Sequence, residues 1–134
     1  MSVYVDSSAF LAVANSQDEQ HEPAVRTWQG LVDRREQILT TNYVAVEAAT
    51  LIHSRHGIPA LRRFAEDLLS AVLIEWIDPP THSAAMAAVL ASGGKESPSL
   101  VDCVGFEIIR KSKVDRVFAY DRHFEGRGFE LIGR

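Results

Sequence analysis

The chain has 134 residues, is 46% hydrophobic and carries 18 acidic against 14 basic side chains, a formal net charge of -4. That length supports one compact domain with a real core, expected over residues 1–134, and is too short for two. The acidic balance argues against a protein that binds nucleic acid through one large basic face, and no apolar run approaches the ~18 residues of a membrane helix.

Val3-Tyr4-Val5 is a β-branched and aromatic run, hence a strand, and it ends on Asp6. Ser7-Ser8 offers a cap for a helix over Ala9-Phe10-Leu11-Ala12-Val13. A second helix is predicted from about Glu22 to Arg35, with Pro23 near its first turn and Val25, Trp28, Leu31 and Val32 on one apolar stripe. Gln37 to Thr41 is a weak strand. Thr41 or Asn42 caps a helix that stops at Gly57, and another follows Ile58-Pro59 with Leu61, Phe64, Leu68 and Leu69 on its apolar side. Val72 to Ile77 reads as a strand broken by Pro79-Pro80. Thr81 is the expected cap of a helix through Leu90, ended by Gly93-Gly94. Ser97-Pro98 predicts a helix start and a helix to about Lys111, followed by strands at Val117–Tyr120 and Phe129–Ile132.

Strands alternating with helices predict an α/β fold, a parallel sheet with both faces covered. Ligands of such sheets gather at the carboxyl ends of the strands, where Asp6 and Asp121 stand. Glu47 and Asp102 are lone acids in stretches otherwise suited to burial, Val44-Ala45-Val46-Glu47-Ala48-Ala49 and Leu100-Val101-Asp102-Cys103-Val104. A buried carboxylate must find a cation, a partner or a shifted pKa.

Each acid has an ordinary reading: Asp6 as a helix cap, Asp121 as a turn residue, Glu47 paired with Arg55. Asp102, read as a poor helix former in mid-helix, is the hardest to explain away. One site holding one or two divalent cations accounts for all four, because hard cations take oxygen ligands and two of them can activate water and stabilise a leaving oxygen at phosphorus. With that charge cancelled, the rest of the chain is close to neutral. Arg110, Lys111, Lys113, Arg116, Arg122 and Arg127 form a basic group in its last quarter, equally readable as a solvated face.

The motifs Val3-Tyr4-Val5-Asp6-Ser7-Ser8-Ala9-Phe10, Thr41-Asn42-Tyr43-Val44-Ala45-Val46-Glu47-Ala48, Ser99-Leu100-Val101-Asp102-Cys103 and Phe118-Ala119-Tyr120-Asp121-Arg122-His123-Phe124 resemble those of PIN-domain nucleases. Within them they resemble the VapC-type toxins of bacterial toxin–antitoxin pairs. Any one motif is weak; four in this order, over residues 3 to about 132, are specific. The resemblance implies a three-layer α/β/α domain with a central parallel sheet of about five strands and a Mg2+- or Mn2+-dependent endoribonuclease. It assigns Asp6, Glu47, Asp102 and Asp121 as the metal-holding catalytic quartet, with Ser8, Asn42 and Ser99 as neighbours ordering the ligands or water. Glu125 falls where some members carry a further acid. It further implies an RNA substrate, a homodimer and a small antitoxin protein whose peptide lies over the site. Contacts from the helices bearing Trp28 and Phe64 are equally explained by core packing.

Cys103, the one cysteine, excludes an internal disulfide, reads as a small core residue and, with no basic leader before Val3, suits a cytoplasmic protein with no membrane association. A phosphoacceptor domain would need acids beside the first strand and a lysine after the last. A haloacid-dehalogenase-type phosphatase would need an acid at Ser8. Gly93-Gly94-Lys95 lacks the Ser or Thr of a P-loop, and His53 with His56 lacks the further ligands of a zinc site. The remaining alternatives are a related RNA-processing nuclease that is not a toxin and a non-catalytic module that binds RNA or protein.

Overall fold

The computed structural model describes residues 2–134; Met1, included in the expected domain, lies outside them. Five strands, β1 (Ser2–Val5), β2 (Gln37–Thr41), β3 (Leu73–Glu75), β4 (Arg116–Phe118) and β5 (Glu130–Ile132), form one sheet in the order β3-β2-β1-β4-β5. Every pairing is parallel. Around it lie α1 (Ser7–Ala14), α2 (His21–Asp33), α3 (Asn42–Arg63), α4 (Pro79–Ser92) and α5 (Leu100–Lys111). The expected α/β architecture with about five parallel strands is the observed one.

The sheet positions the site. β1 is central, and the chain leaves it to build β2 and β3 on one side and β4 and β5 on the other. The strand order therefore reverses beside β1, and a crevice opens there at the carboxyl ends of β1 and β4. Val3, Tyr4, Val5, Val117 and Phe118 are fully buried, as strands covered on both faces require. The Asp6 amide extends the ladder by donating to the Phe118 carbonyl (3.0 Å), and Thr40 Oγ1 donates to the Val5 carbonyl (2.7 Å). On one face Phe10 packs edge-on against Phe64 (centroids 5.4 Å apart) and against Trp28 (5.9 Å). Loss of such an aromatic costs about 3–5 kcal/mol.

Several local expectations need correction. α1 is capped by Asp6, not by Ser7 or Ser8: the Asp6 carboxylate accepts from the Ser8 amide. In α2 the stripe is Ala24, Trp28 and Leu31, while Val25 and Val32 are over a third exposed, because the helix buries a narrower face than four residues could share. α3 runs on past Gly57 with a break there, where φ of 83° suits a residue without Cβ; the two expected helices thus adjoin directly. The strand expected over Val72–Ile77 shrinks to three residues at the sheet edge, with Leu73 and Trp76 exposed. Pro79 and Pro80 open α4 behind an Asp78 cap, so Thr81 is a buried first-turn residue instead of the cap. α5 starts at Leu100 with Ser99 as its cap, two residues later than Ser97-Pro98 suggested. Trp28 and Phe64 are core residues, as the core-packing explanation expects.

Candidate metal and active site

Asp6 leaves β1 into the crevice, is almost fully buried, and accepts hydrogen bonds from the Ser8 amide (3.1 Å) and Ser8 Oγ (2.6 Å). Ser8 Oγ in turn accepts from the Tyr120 amide (3.0 Å), which ties the end of β1 to the segment after β4. Ser8 thus orients Asp6 and fixes its distance from Asp121, the next residue. Burial pushes the Asp6 carboxyl up to about 6; the Ser8 hydrogen bonds oppose the rise and the charge of Asp102 adds to it.

Asp102 reaches the crevice from the first turn of α5. The expectation of a mid-helix acid is wrong, since Asp102 is the third helical residue and shares a capping box with Ser99. Its amide donates to Ser99 Oγ (3.1 Å) and its carboxylate accepts from the Ser99 amide (3.0 Å). Asp102 is nonetheless buried, so its charge still needs a partner. Ser99→Ala removes one arm of the box, at a cost of about 1 kcal/mol in stability. We expect a further loss of about 10–100-fold in activity, read as a fall in initial rate, because a loosened neighbour mispositions the carboxylate.

Asp121 follows β4, caps the 3-10 turn Arg122–Phe124 and accepts from the His123 amide (2.8 Å). That turn swings the His123 ring over both acids, with Nδ1 3.1 Å from Asp102 Oδ2 and 3.2 Å from Asp121 Oδ1. Nε2 faces the Glu96 carbonyl at 2.9 Å. Both ring nitrogens face acceptors, so the imidazolium satisfies both at once. The Glu96 carbonyl, then the Asp121 and Asp102 charges, raise the His123 pKa. Asp102, Asp121 and His123 present ligand atoms all within 4.8 Å of one another. His123 is the residue that sequence reasoning missed; the signal was a histidine two positions after a strand-end aspartate.

Glu47 approaches from α3. It accepts a hydrogen bond from Ser7 Oγ, and no Arg55–Glu47 pair exists among the described residues. Ser7 adjoins Asp6, so this contact draws Glu47 toward the first acid. Among the described residues no cluster of three ligand-bearing side chains within 4.8 Å includes Asp6 or Glu47. Asn42, expected among the ordering neighbours, does something else: its side chain accepts from the Ile77 amide (2.9 Å) and fastens the start of α3 to the exit of β3. Glu125 is exposed and pairs with Arg134, outside the crevice.

Beneath the acids lies Tyr4, wholly buried, whose hydroxyl has no hydrogen-bond partner among the described residues. Burial first, then the charge of Asp6 and more weakly of Asp102 and Glu47, drives its pKa far up. Three carboxylates thus lie close enough to act on one buried hydroxyl. This donor set, hard carboxylate oxygens of Asp102 and Asp121 with the His123 ring nitrogen within 4.8 Å of both, fits a divalent cation such as Mg2+ or Mn2+.

The chain belongs to the PIN domain family, which it matches over residues 3–130. It is 29% identical over 128 residues to the 23S rRNA-specific endonuclease VapC20 of Mycobacterium tuberculosis, covering 95% of each chain. The crystal structure of that protein, described as a Sarcin-Ricin loop cleaving toxin, superposes with a TM-score of 0.79 at 27% identity over 95% of both chains. FitAcB from Neisseria gonorrhoeae shares the fold with a TM-score of 0.69 at 12% identity, over 97% of this chain and 96% of that one.

Proposed function

We propose that the protein is a metal-dependent endoribonuclease, the toxin of a toxin–antitoxin pair, in which Asp6, Glu47, Asp102 and Asp121 hold one or two Mg2+ or Mn2+ ions. The observation that supports this reading is the cluster of Asp102, Asp121 and His123 beside a buried Asp6, whose carboxyl is pushed up to about 6 by burial and, less, by the charge of Asp102. A divalent cation held there would supply water activation and charge stabilisation at the scissile phosphate. The chain's own residues do the rest. Ser8 holds Asp6, Ser99 holds Asp102, and Ser7 holds Glu47. His123, whose Nδ1 faces both Asp102 and Asp121, bridges the two carboxylates.

Similarity to VapC20 makes 23S ribosomal RNA the first substrate to test. The cytoplasm is the matching location, and no helix among the described residues is long and apolar enough to cross a membrane. An apolar cleft of about 360 Å3 lined by Tyr43, Val46 and Val101 borders Glu47, and Val46 is 65% exposed. That surface supports a protein contact at the mouth of the site, by an antitoxin peptide or a second copy in a homodimer.

Purified protein should cleave the RNA with Mn2+ and stop in EDTA, and Glu47→Gln should lower the rate by about two orders of magnitude. Equal cleavage by wild type and Glu47→Gln would mark a contaminant and remove the support for this reading. Metal binding should also depend on pH. The cation needs ionised Asp6, so Mn2+ affinity should climb as pH rises through about 6 and level off above it. A titration calorimeter checks this; affinity flat between pH 5 and 7 would contradict it.

A further inference from the structure

A second feature runs away from the acids along α5. Phe106 stands one turn beyond Asp102, and Arg110 one turn beyond Phe106, about 6 Å and 12 Å along the helix axis. With Lys113, Arg127 and Phe129 they line a cleft of about 460 Å3 between α5 and the approach to β5. Three cations face it against one acid, Asp115. Arg110 and Arg127 are exposed, Arg110 spends only one contact on Glu107, and Lys113 has no ion pair among the described residues. This is a concentration of positive charge on a chain of net charge -4.

The cleft is joined to the site by direct contacts. The Arg127 guanidinium lies over the Phe106 ring, 3.8 Å from its centroid, while its Nε donates to the His123 carbonyl (2.6 Å). The His123 ring rests on Asp102 and Asp121. A polymer with one phosphate at those acids must place its neighbouring phosphates nearby, and the cationic cleft begins one helical turn away.

We propose that this cleft holds the single-stranded RNA flank of the scissile bond, with Arg110, Lys113 and Arg127 on backbone phosphates and Phe129 offering a ring for a base to stack on. The inference rests on the ribonuclease reading and deepens it. Interleaved cations and aromatic rings suit a nucleic-acid strand, for which phosphate pairing and stacking act together. An acidic peptide would use the cations alone, whereas an RNA strand can also stack a base on the Phe129 ring.

The test is Mn2+-dependent cleavage of a 23S rRNA fragment at several salt concentrations, for wild type, Arg110→Gln/Lys113→Gln and the triple variant adding Arg127→Gln. Each lost phosphate contact should shrink the slope of log kcat/KM against log salt by about 0.7, hence by about 2 in the triple variant. KM should rise by about 10–100-fold at 0.1 M salt while kcat of the double variant stays within about twofold. Arg127→Lys, which keeps the charge, should keep the wild-type slope, and Tm values within about 2 °C of wild type would exclude misfolding. A cleaving wild type whose slope and KM are unchanged in the triple variant overturns the cleft proposal alone, including the case where the cleft serves an acidic peptide. A wild type that does not cleave in Mn2+ overturns the ribonuclease reading and the cleft with it.

Discussion

Asp6→Asn is expected to stabilise the metal-free protein at pH 7 while lowering Mn2+-dependent RNA cleavage by about three orders of magnitude. The two effects have one cause. Burial lifts the Asp6 pKa from 3.8 to about 6, so the folded state takes up a proton that the unfolded chain has already released. Between those values stability falls as pH rises, and above about pH 6 the full penalty is present, about 3 kcal/mol. Asparagine keeps an oxygen to accept from Ser8 and caps α1 as well as aspartate does, so the variant loses the charge without losing the geometry. Below about pH 4 the advantage of the variant should vanish, because Asp6 is then neutral in both states. The same charge is what a cation needs, and losing one metal-holding carboxylate removes several kcal/mol of transition-state stabilisation. Thermal melts from pH 4 to 7 in EDTA, beside cleavage rates in Mn2+, check both halves. A variant less stable than wild type at pH 7 would contradict the account of Asp6 as a strained buried charge.

Gly105→Ala is expected to cost about 1–3 kcal/mol of stability and to reduce cleavage by up to about 100-fold. A Cβ at Gly105 would lie 2.6 Å from the Tyr4 hydroxyl oxygen and 3.1 Å from its Cζ. Tyr4 belongs to the central strand and is completely buried, so its ring cannot swing aside. α5 must move instead, and it carries Asp102 three residues earlier. The better helix propensity of alanine offsets about 1 kcal/mol at most. Tyr4→Phe alone removes a hydroxyl that has no hydrogen-bond partner, and should be neutral or mildly stabilising. In the Tyr4→Phe/Gly105→Ala pair the closest contact is gone and the 3.1 Å contact remains, so stability and activity should return most of the way. Denaturant melts and initial rates on the four proteins of this cycle measure it. Purely additive effects would show that Gly105 and Tyr4 do not constrain each other.

The sequence made the fold legible because its signals were redundant. Val3–Val5 is a β-branched and aromatic run buried throughout, residues 38–41 of the weaker second strand are buried as well, and each strand precedes a helix. Element ends were harder, since Asp78 and Ser99 won the capping positions from Thr81 and Ser97 through tertiary placement that spacing does not encode. Asp6 and Asp121 were visible as strand-end acids and Glu47 and Asp102 as charges in apolar stretches, although the reason given for Asp102 failed: it sits in a first turn, where aspartate is favoured. What could not be read was how the acids are served. Ser7 reaches Glu47 across 40 positions and Ser8 meets the Tyr120 amide across 112, contacts that exist only because β1 lies between β2 and β4. His123 escaped for the same reason, its partner Asp102 being 21 residues distant.

The central claim, that these carboxylates gather a divalent cation in order to cut RNA, is tested most directly by titrating Mn2+ into wild type and Asp102→Asn at pH 7 while following RNA cleavage in the same samples. Wild type should bind Mn2+ with proton release and cleave with the same half-saturation, and the variant should lose both together. Mn2+ binding undiminished in Asp102→Asn, or wild-type cleavage that persists at full rate in EDTA, would contradict it.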